Sequence, residues 1–147
     1  MGCPLTHETD LSSKFVDQTI RQYGPRIWIQ KQMDPLRVGT SDIYAMIDGM
    51  FIPIECKRTN QDKGHSILSH IFEKIQKKRM RDLLEVGAYP LGLIFHREEK
   101  RYILPLAIRE DGNISMEEYL QLPLFDWMEI KNAATQAYHD RFGEGQF

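Results

Sequence analysis

The sequence predicts an α/β fold in which helices flank a mixed β-sheet, and three features of the chain carry this prediction. Two short apolar segments meet at Asp48-Gly49, a dipeptide that favours the two-residue turn of a β-hairpin. An amphipathic segment from Ser66 to about Val86 follows, with apolar residues at helical spacing. A second pair of strand-like segments, LGLIFH and RYILPL, comes next. This alternation of strands and helices is typical of a sheet covered by helices.

The rest of the chain adds further elements in order. The first helix can be capped by Ser12 or Ser13, and Gly24-Pro25 ends it after Tyr23. No internal repeat or low-complexity stretch interrupts the chain, so we predict a single domain with a core over about 12–106 and a C-terminal helical extension over about 111–147. The remaining predicted elements are a strand RIWIQK, a loop QMDPLRVGT, a polar loop RTNQDKGH, a short helix SMEEYL, a connection LPLFDW and a helix over about 129–138.

The composition is that of a soluble globular protein. The 147 residues are 41% hydrophobic and 27% charged, with a formal net charge of −2. No apolar run approaches the roughly 18 residues that a membrane-spanning helix needs. Cys3 and Cys56 form neither a disulfide framework nor a zinc ligand set, and the first residues lack the features of a secretory signal, so we expect a reduced, cytoplasmic setting.

The hairpin turn also predicts which residues face each other across the strands. A two-residue turn at Asp48-Gly49 pairs Asp42 with Glu55 as a non-hydrogen-bonded pair, whose Cα atoms lie about 4.5 Å apart. Like charges directly opposite each other destabilise a strand pair. Two partly buried carboxylates would share a proton or bind a cation. In this register the missing N–H of Pro53 faces the other neighbouring strand, where we expect a gap or a bulge.

A basic residue completes this cluster. Lys57 lies two residues beyond Glu55, so the two side chains project from the same face of the strand. Hard oxygen ligands of this kind suit Mg²⁺ or Mn²⁺. The alternative is that Asp42 caps a turn while Glu55 and Lys57 form a solvated strand face. The flanking apolar residues in MFIPIEC favour a buried strand instead.

The segment SDIYAMIDGMFIPIECK resembles the signature of the PD-(D/E)XK nuclease superfamily. The matching residues are Asp42, Glu55 and Lys57, and Ser41 stands where the proline of the signature often lies. From about 12 to 106, the order of elements is similar to that of the Holliday junction resolvases of archaea, the recombination-U type of bacteria and the VRR-type nucleases. The resemblance implies a restriction-endonuclease-like fold.

The same resemblance implies a set of functional residues. Asp42, Glu55 and the backbone carbonyl of Cys56 would bind Mg²⁺ or Mn²⁺, and Lys57 would be catalytic. Gln76 matches a catalytic glutamine on the helix that follows. Gln76 also falls on the apolar stripe of the predicted helix, where its other interpretation is a polar residue at the edge of the core.

One position departs from the family pattern. Many relatives carry a metal-binding Glu on the first helix, and Ser13 lines up with it here. Asp17, one turn later, or Glu8 upstream are the alternative ligands, although both also fit a surface acid. A one-metal site, or an altered second metal site, follows from this departure.

Basic residues predict where nucleic acid would bind. Lys74, Lys77, Lys78 and Arg81 recur at helical spacing and form one stripe beside the apolar face of the predicted helix. Such a stripe either supplies phosphate contacts or is a solvated helix face. The cations that would extend it towards the metal site are Arg37, Arg58 and Lys63.

These expectations lead to one function and two alternatives. The first is a Mg²⁺-dependent, structure-selective endodeoxyribonuclease acting in DNA recombination or repair, namely a homodimeric Holliday junction resolvase, with a size that suits a phage or mobile-element protein. The alternatives are a VRR-type or restriction-like nuclease with another DNA substrate, and a non-catalytic nucleic-acid-binding module of the same fold. Trp28, Phe125 and Trp127 are predicted to be core residues and not base-stacking platforms.

Overall fold

The computed structural model describes residues 8–32, 41–59, 67–68, 74–96 and 99–142. Within these ranges no helix is both long enough and apolar enough to cross a membrane. The helices are α1 (Glu8–Tyr23), α2 (Lys74–Glu85), α3 (Met116–Gln121) and α4 (Trp127–Phe142), with 3-10 turns at Gly24–Arg26 and Pro105–Ala107. The strands are β1 (Trp28–Lys31), β2 (Ile43–Ile47), β3 (Met50–Thr59), β4 (Ile67–Leu68), β5 (Leu91–His96), β6 (Glu99–Ile103) and β7 (Ile114–Ser115).

Five strands form one mixed sheet in the order β1-β2-β3-β5-β6. The central pair, β3 and β5, is parallel, whereas the other three pairs are antiparallel. A parallel pair requires a crossover connection, and the chain from β3 to β5 passes through α2. The predicted α/β class with a mixed sheet and flanking helices is therefore confirmed.

The β2–β3 hairpin has the register that its turn residues predict. Ile47 faces Met50 and Ile43 faces Ile54. Asp48 and Gly49 have φ angles of 50° and 80°, the two positive values that a type I′ turn requires. The ladder between β3 and β5 begins at Ile54, so Pro53 lies just outside it, in the gap expected for a residue without an N–H.

The two faces of the sheet are covered differently. Residues of α1 and α4 cover one face, where Ile43, Ile52 and Ile54 have no exposed surface. On the opposite face, a smaller core joins Met80 of α2 to Tyr119 of α3 and to apolar residues of β5 and β6. This smaller core does not include residues of β1 or β2 among those described. One end of that second face is therefore outside both cores.

The predicted long helix from Ser66 is wrong at its start. Ile67–Leu68 is a short strand that pairs with Ile114–Ser115. A backbone pairing with a segment far along the chain replaces the local helical pattern there, and the described helix begins at Lys74. The segment 69–73 lies outside the described residues.

Other boundaries also differ from the expectation. The predicted strand RYILPL ends at Ile103, because Pro105 begins a 3-10 turn. The final helix is longer than predicted at both ends and starts at Trp127. The short helix at Met116 is confirmed, and Ser115 and Glu118 form a reciprocal capping box at its start.

The expected core position of Trp28 is wrong, whereas that of Trp127 is confirmed. Trp127 is 4% exposed and packs with the larger core, and Phe125 is partly buried against it. Trp28 is 51% exposed and lies opposite Met46, which is 42% exposed. Both belong to the end of the second face that none of the described helices covers, so alternation along β1 alone does not predict which residues are buried.

Candidate active site

The predicted acidic and basic residues meet where β2 begins and β3 continues past it. Asp42 precedes β2 by one residue, whereas Glu55 and Lys57 lie within β3. Side chains alternate between the faces of a strand. Ile54 and Cys56 belong to the larger core under α1, so Glu55 and Lys57 project from the opposite face. The site thus lies on the face of the sheet that is only partly covered.

Asp42 is held by backbone contacts on both sides. Its Oδ2 atom accepts a hydrogen bond of 2.7 Å from the backbone N–H of Cys56. Its carbonyl oxygen accepts one of 2.8 Å from the backbone N–H of Gln32, which follows β1. The β2–β3 ladder ends at Ile43, so the Asp42 side chain takes over an N–H of β3 that β2 no longer pairs.

Glu55 is a buried acid with a side-chain partner from a helix. The residue is 5% exposed, and its Oε1 atom accepts a hydrogen bond of 2.8 Å from the Nε2 atom of Gln76. Burying a carboxylate is costly unless hydrogen bonds compensate for lost water. Gln76 lies on α2, so the structure brings the predicted glutamine from the far side of the crossover to the predicted acid. The contact fixes the orientation of the Glu55 carboxylate.

Lys57 contributes a cation beside these acids. It is half-buried, and it pairs with Ile94 in the ladder to β5. Across the described ranges, the Lys57 ammonium makes neither an ion pair nor a hydrogen bond. A half-buried ammonium without a counter-ion favours an anionic group, such as a phosphate, next to it.

The side chains present fit a magnesium-type ion better than zinc. Nowhere in the described residues do three or more His, Cys, Asp or Glu side chains cluster so that they could hold a metal. Mg²⁺ is commonly held by one or two carboxylates, with waters and substrate phosphates completing the shell. Asp42 and Glu55 meet that requirement. The N–H of Cys56 points to Asp42, and the N–H and C=O of one strand residue share an edge, so the Cys56 carbonyl faces the same side.

The first helix supplies no described third carboxylate. The hydroxyl of Ser13 accepts a hydrogen bond of 2.9 Å from the Lys31 ammonium, a cation that the sequence patterns did not single out. Asp17 is exposed on α1, and α1 packs on the other face of the sheet. The side chain of Glu8 lies outside the described residues. Asp17 therefore does not lie beside Asp42 and Glu55, where the predicted metal ligand of the first helix would be.

The four predicted cations of α2 lie on one side of the helix, but they differ in exposure and in contacts. Lys74, Lys78 and Arg81 are exposed, and Lys78 forms a 2.8 Å ion pair with Asp82. Lys77 instead donates to the carbonyl oxygens of Arg109 and Glu110. It therefore joins α2 to the 109–110 segment. Three of the four predicted cations therefore remain on the exposed surface of the helix.

The other predicted cations lie elsewhere. Arg58 is half-buried in β3, where it pairs with Phe95 of β5 in the ladder. Arg37 and Lys63 lie outside the described residues. Of these three cations, the described part of the chain therefore places Arg58 on the strand that carries Glu55 and Lys57, where alternation directs its side chain to the opposite face.

Comparisons with known proteins support the fold. No family model matches the chain, and no curated protein does. Among solved structures, the chain is similar to Hjc of Archaeoglobus fulgidus, a Holliday junction resolvase from an archaeal hyperthermophile. The TM-score is 0.59 at 13% sequence identity, and the match covers 81% of this chain and 98% of the resolvase chain. At that identity the likeness concerns the fold, a mixed five-stranded sheet flanked by helices.

Proposed function

We propose that this protein is a metal-dependent endonuclease that hydrolyses phosphodiester bonds in branched DNA, as a Holliday junction resolvase does. The observation that carries the proposal is a buried carboxylate, Glu55, which Gln76 orients and which directly precedes Cys56, the residue whose N–H holds Asp42. A protein interior rarely keeps two acids together without a cation. The likeness to an archaeal resolvase fold supports the same assignment.

Each residue has a distinct role in this proposal. Asp42, Glu55 and the backbone carbonyl of Cys56 would hold Mg²⁺ or Mn²⁺, which supplies a bound water of lowered pKa and neutralises charge on the phosphate. The Cys56 N–H and the Gln76 amide keep the two carboxylates in fixed orientations. Fixed ligands need no rearrangement when the substrate binds, and this lowers the barrier to reaction.

Basic side chains would bind the substrate in two places. The Lys57 ammonium would contact the scissile phosphate and orient the attacking water. Lys74, Lys78 and Arg81 on the exposed surface of α2 would bind phosphates further along the DNA, with Arg37, Arg58 and Lys63 as additional contacts. Such contacts add affinity without sequence preference and weaken as salt rises.

The geometry of the substrate suggests how the protein would assemble. A four-way junction presents two symmetric strands for cleavage, so a homodimer would place one site on each strand. The proposed setting is the cytoplasm of a bacterial, archaeal or phage-infected cell, where recombination and repair produce branched DNA.

Cleavage assays on matched substrates test the proposal. The protein is incubated with Mg²⁺ and labelled four-way junction, flap or linear duplex. Symmetric nicks in the junction are expected, and they should disappear when EDTA removes the metal. Cleavage of linear duplex alone would contradict junction selectivity and favour a restriction-like nuclease, whereas flap cleavage alone would favour a VRR-type enzyme.

Isosteric variants test the site itself. Glu55→Gln and Asp42→Asn keep a hydrogen-bond acceptor but lose the charge, and we expect each to lower the cleavage rate by about 100-fold or more. Lys57→Met should act similarly. Glu117→Gln, an exposed acid on α3, is the control and should cleave normally. Full activity of Glu55→Gln would show that this is not the catalytic site.

Metal binding separates the nuclease from a non-catalytic module of the same fold. A metal that binds only the folded protein raises the melting temperature by mass action. We expect Mg²⁺ or Mn²⁺ to raise it in the wild type, and to raise it less in Asp42→Asn. No metal-dependent shift, together with DNA binding that is independent of metal, would favour the binding module.

A further inference from the structure

A pocket lined by both polar and aromatic side chains lies away from the candidate active site. It has a volume of about 190 Å³ and opens between the second half of α1 and the 125–127 segment. Lys100 of β6 is part of its lining. Lys100 pairs with Phe95, a residue of the larger core. The pocket is therefore on the α1 side of the sheet, whereas Glu55 and Lys57 face the other side.

Aromatic rings form part of the lining of this pocket, beside polar side chains of α1 and Lys100. Phe15 and Trp127 are stacked, with ring centroids 5.8 Å apart and planes inclined by 20°. Phe125 lies edge-on to both rings, at 5.2 Å from Phe15 and 4.9 Å from Trp127. Aromatic pairs in such arrangements attract each other beyond the effect of simple burial. The three rings therefore form a stable apolar surface.

Hydrogen bonds lock the position of Trp127. Its indole N–H donates to Thr19 Oγ1 at 3.0 Å, and the Thr19 hydroxyl donates to the Phe15 carbonyl at 2.9 Å. The Trp127 indole N–H and the Thr19 hydroxyl thus have partners within the protein. The pocket offers a ligand ring surface, the Lys100 ammonium and the amides of Gln18 and Gln22.

Lys100 is a cation for which the described residues provide no ion-pair partner. Its ammonium lies 5.9 Å from the centroid of the Phe15 ring, and throughout the described ranges no carboxylate forms an ion pair with it. Burial, and then the charge of Lys14, lower the pKa of the Lys100 ammonium. Asp126 also lines the pocket, but its Oδ1 accepts the Met128 N–H at the start of α4. An incoming anion would relieve this unbalanced charge.

We propose that the pocket binds a small planar ring compound that carries one anionic group, such as an aromatic or heteroaromatic carboxylate. The ring would pack against Phe15, Phe125 and Trp127, and the anionic group would pair with Lys100. Gln18 and Gln22, which line the pocket from α1, would supply amide hydrogen bonds. A cavity of about 150 Å³ accommodates benzene, so one six-membered ring with a substituent fits. This site would operate independently of DNA cleavage.

Three probe compounds separate the contribution of the ring to binding from that of the charge. Benzoate has both, benzyl alcohol has the ring alone, and acetate has the charge alone. Binding to the full chain is followed through the indole N–H signal of Trp127 in ¹H–¹⁵N spectra, with Trp28→Phe used to assign the two indole signals. Because a hydrogen bond to a charged group adds strongly to affinity, benzoate should bind at least about tenfold more tightly than either other probe.

Lysine variants locate the anion. Lys100→Met keeps the length of the side chain and should remove the advantage of benzoate over benzyl alcohol. Lys78→Met, on the exposed surface of α2, is the control and should bind benzoate as the wild type does. An unmoved Trp127 signal with all three probes, or unchanged benzoate binding by Lys100→Met, would overturn the proposal. Junction cleavage by Lys100→Met should equal that of the wild type, so the two proposals fail separately.

Discussion

The two faces of the central sheet differ although the same strands build them. On the face beneath α1 and α4, Ile52, Ile54 and Cys56 of β3 have no exposed surface. On the other face, the same strand carries Glu55 and Lys57. Because neighbouring residues of a strand point to opposite faces, one strand supports the core and the candidate site at once. Stability and chemistry are thus divided between alternate positions of β3.

The second face is itself divided. Met80 and Tyr119 cover the part over β5 and β6, whereas Trp28 and Met46 at the β1 end remain exposed. The candidate site lies at the boundary, where Gln76 of α2 reaches Glu55. A site at such an edge can bury a carboxylate on one side and admit a large substrate on the other.

Truncating the larger core should have the largest effect on stability. We expect Ile54→Ala to lower the free energy of unfolding by about 2–5 kcal/mol, because it leaves a cavity in a fully buried region. Trp28→Ala, on the exposed end of the other face, should change it by about 0.5 kcal/mol or less. Urea denaturation measures both. Equal losses would contradict the contrast between the faces.

Tyr119 tests the smaller core through its response to alkaline pH. Within the described chain its buried hydroxyl has no hydrogen-bond partner. Burial, and then the charge of Glu99, raise the pKa of Tyr119 to about 12 from the usual 10.0, against the opposing influence of Arg101. The folded protein holds this proton more tightly than the unfolded chain does. The contribution of Tyr119 to the stability of the folded protein is therefore complete below pH about 10 and is lost as the pH rises through about 12.

The size of that loss follows from the difference between the two pKa values. A difference of about two pKa units corresponds to about 2–3 kcal/mol of unfolding free energy. Tyr119→Phe removes the ionisable hydroxyl, so the variant should lose less stability than the wild type between pH 8 and pH 12. Urea denaturation at both pH values gives the comparison. Equal losses of stability in the two proteins would show that Tyr119 has the same pKa in the folded and the unfolded chain.

Gln76 tests the boundary between the two parts of the second face. Gln76→Ala removes one hydrogen-bond donor to a buried carboxylate, and we expect a loss of about 1–3 kcal/mol in unfolding free energy at neutral pH. DNA cleavage should fall as well, because Glu55 loses its orientation. In Glu55→Gln the further change Gln76→Ala should cost less stability, since a neutral side chain needs compensation less. Additive losses in this double-mutant cycle would contradict a direct coupling.

The hairpin turn should give a smaller effect than the core, Tyr119 and Gln76 variants. Gly49 has a φ angle of 80°, a conformation that costs a residue with a Cβ atom about 1 kcal/mol. Gly49→Ala should lose about that much stability, and Gly49→Asn less, because Asn adopts this conformation more readily. Thermal unfolding of both variants measures the difference. Equal stability of Gly49→Ala and the wild type would contradict the type I′ turn.

Local chemistry explains the features that could be predicted from the sequence. Asp48-Gly49 determines the hairpin register because both residues tolerate positive φ angles. Once the register is set, alternation places Glu55 and Lys57 on one face without any knowledge of the rest of the protein. The strand LGLIFH was also predictable, since a short apolar run bounded by turns and buried on both faces is typical of a central strand.

Contacts between distant segments decided the rest. Ile67–Leu68 is a strand only because Ile114–Ser115 lies beside it. Trp28 is exposed because no helix in the described ranges covers that end of the second face, and helix placement is not encoded within β1. The Lys100 pocket likewise depends on α1 meeting the 125–127 segment.

The sequence by itself determined the mixed α/β class, the hairpin register and the shared face of Glu55 and Lys57, because these depend on turn preferences and strand alternation over a few residues. Only the tertiary structure decided that Asp42 binds the Cys56 N–H and that Gln76 reaches Glu55. The first contact requires that the β2–β3 ladder ends at Ile43. The second requires that the crossover after β3 places α2 next to Glu55. Their geometry depends on how whole elements pack, which no local pattern specifies.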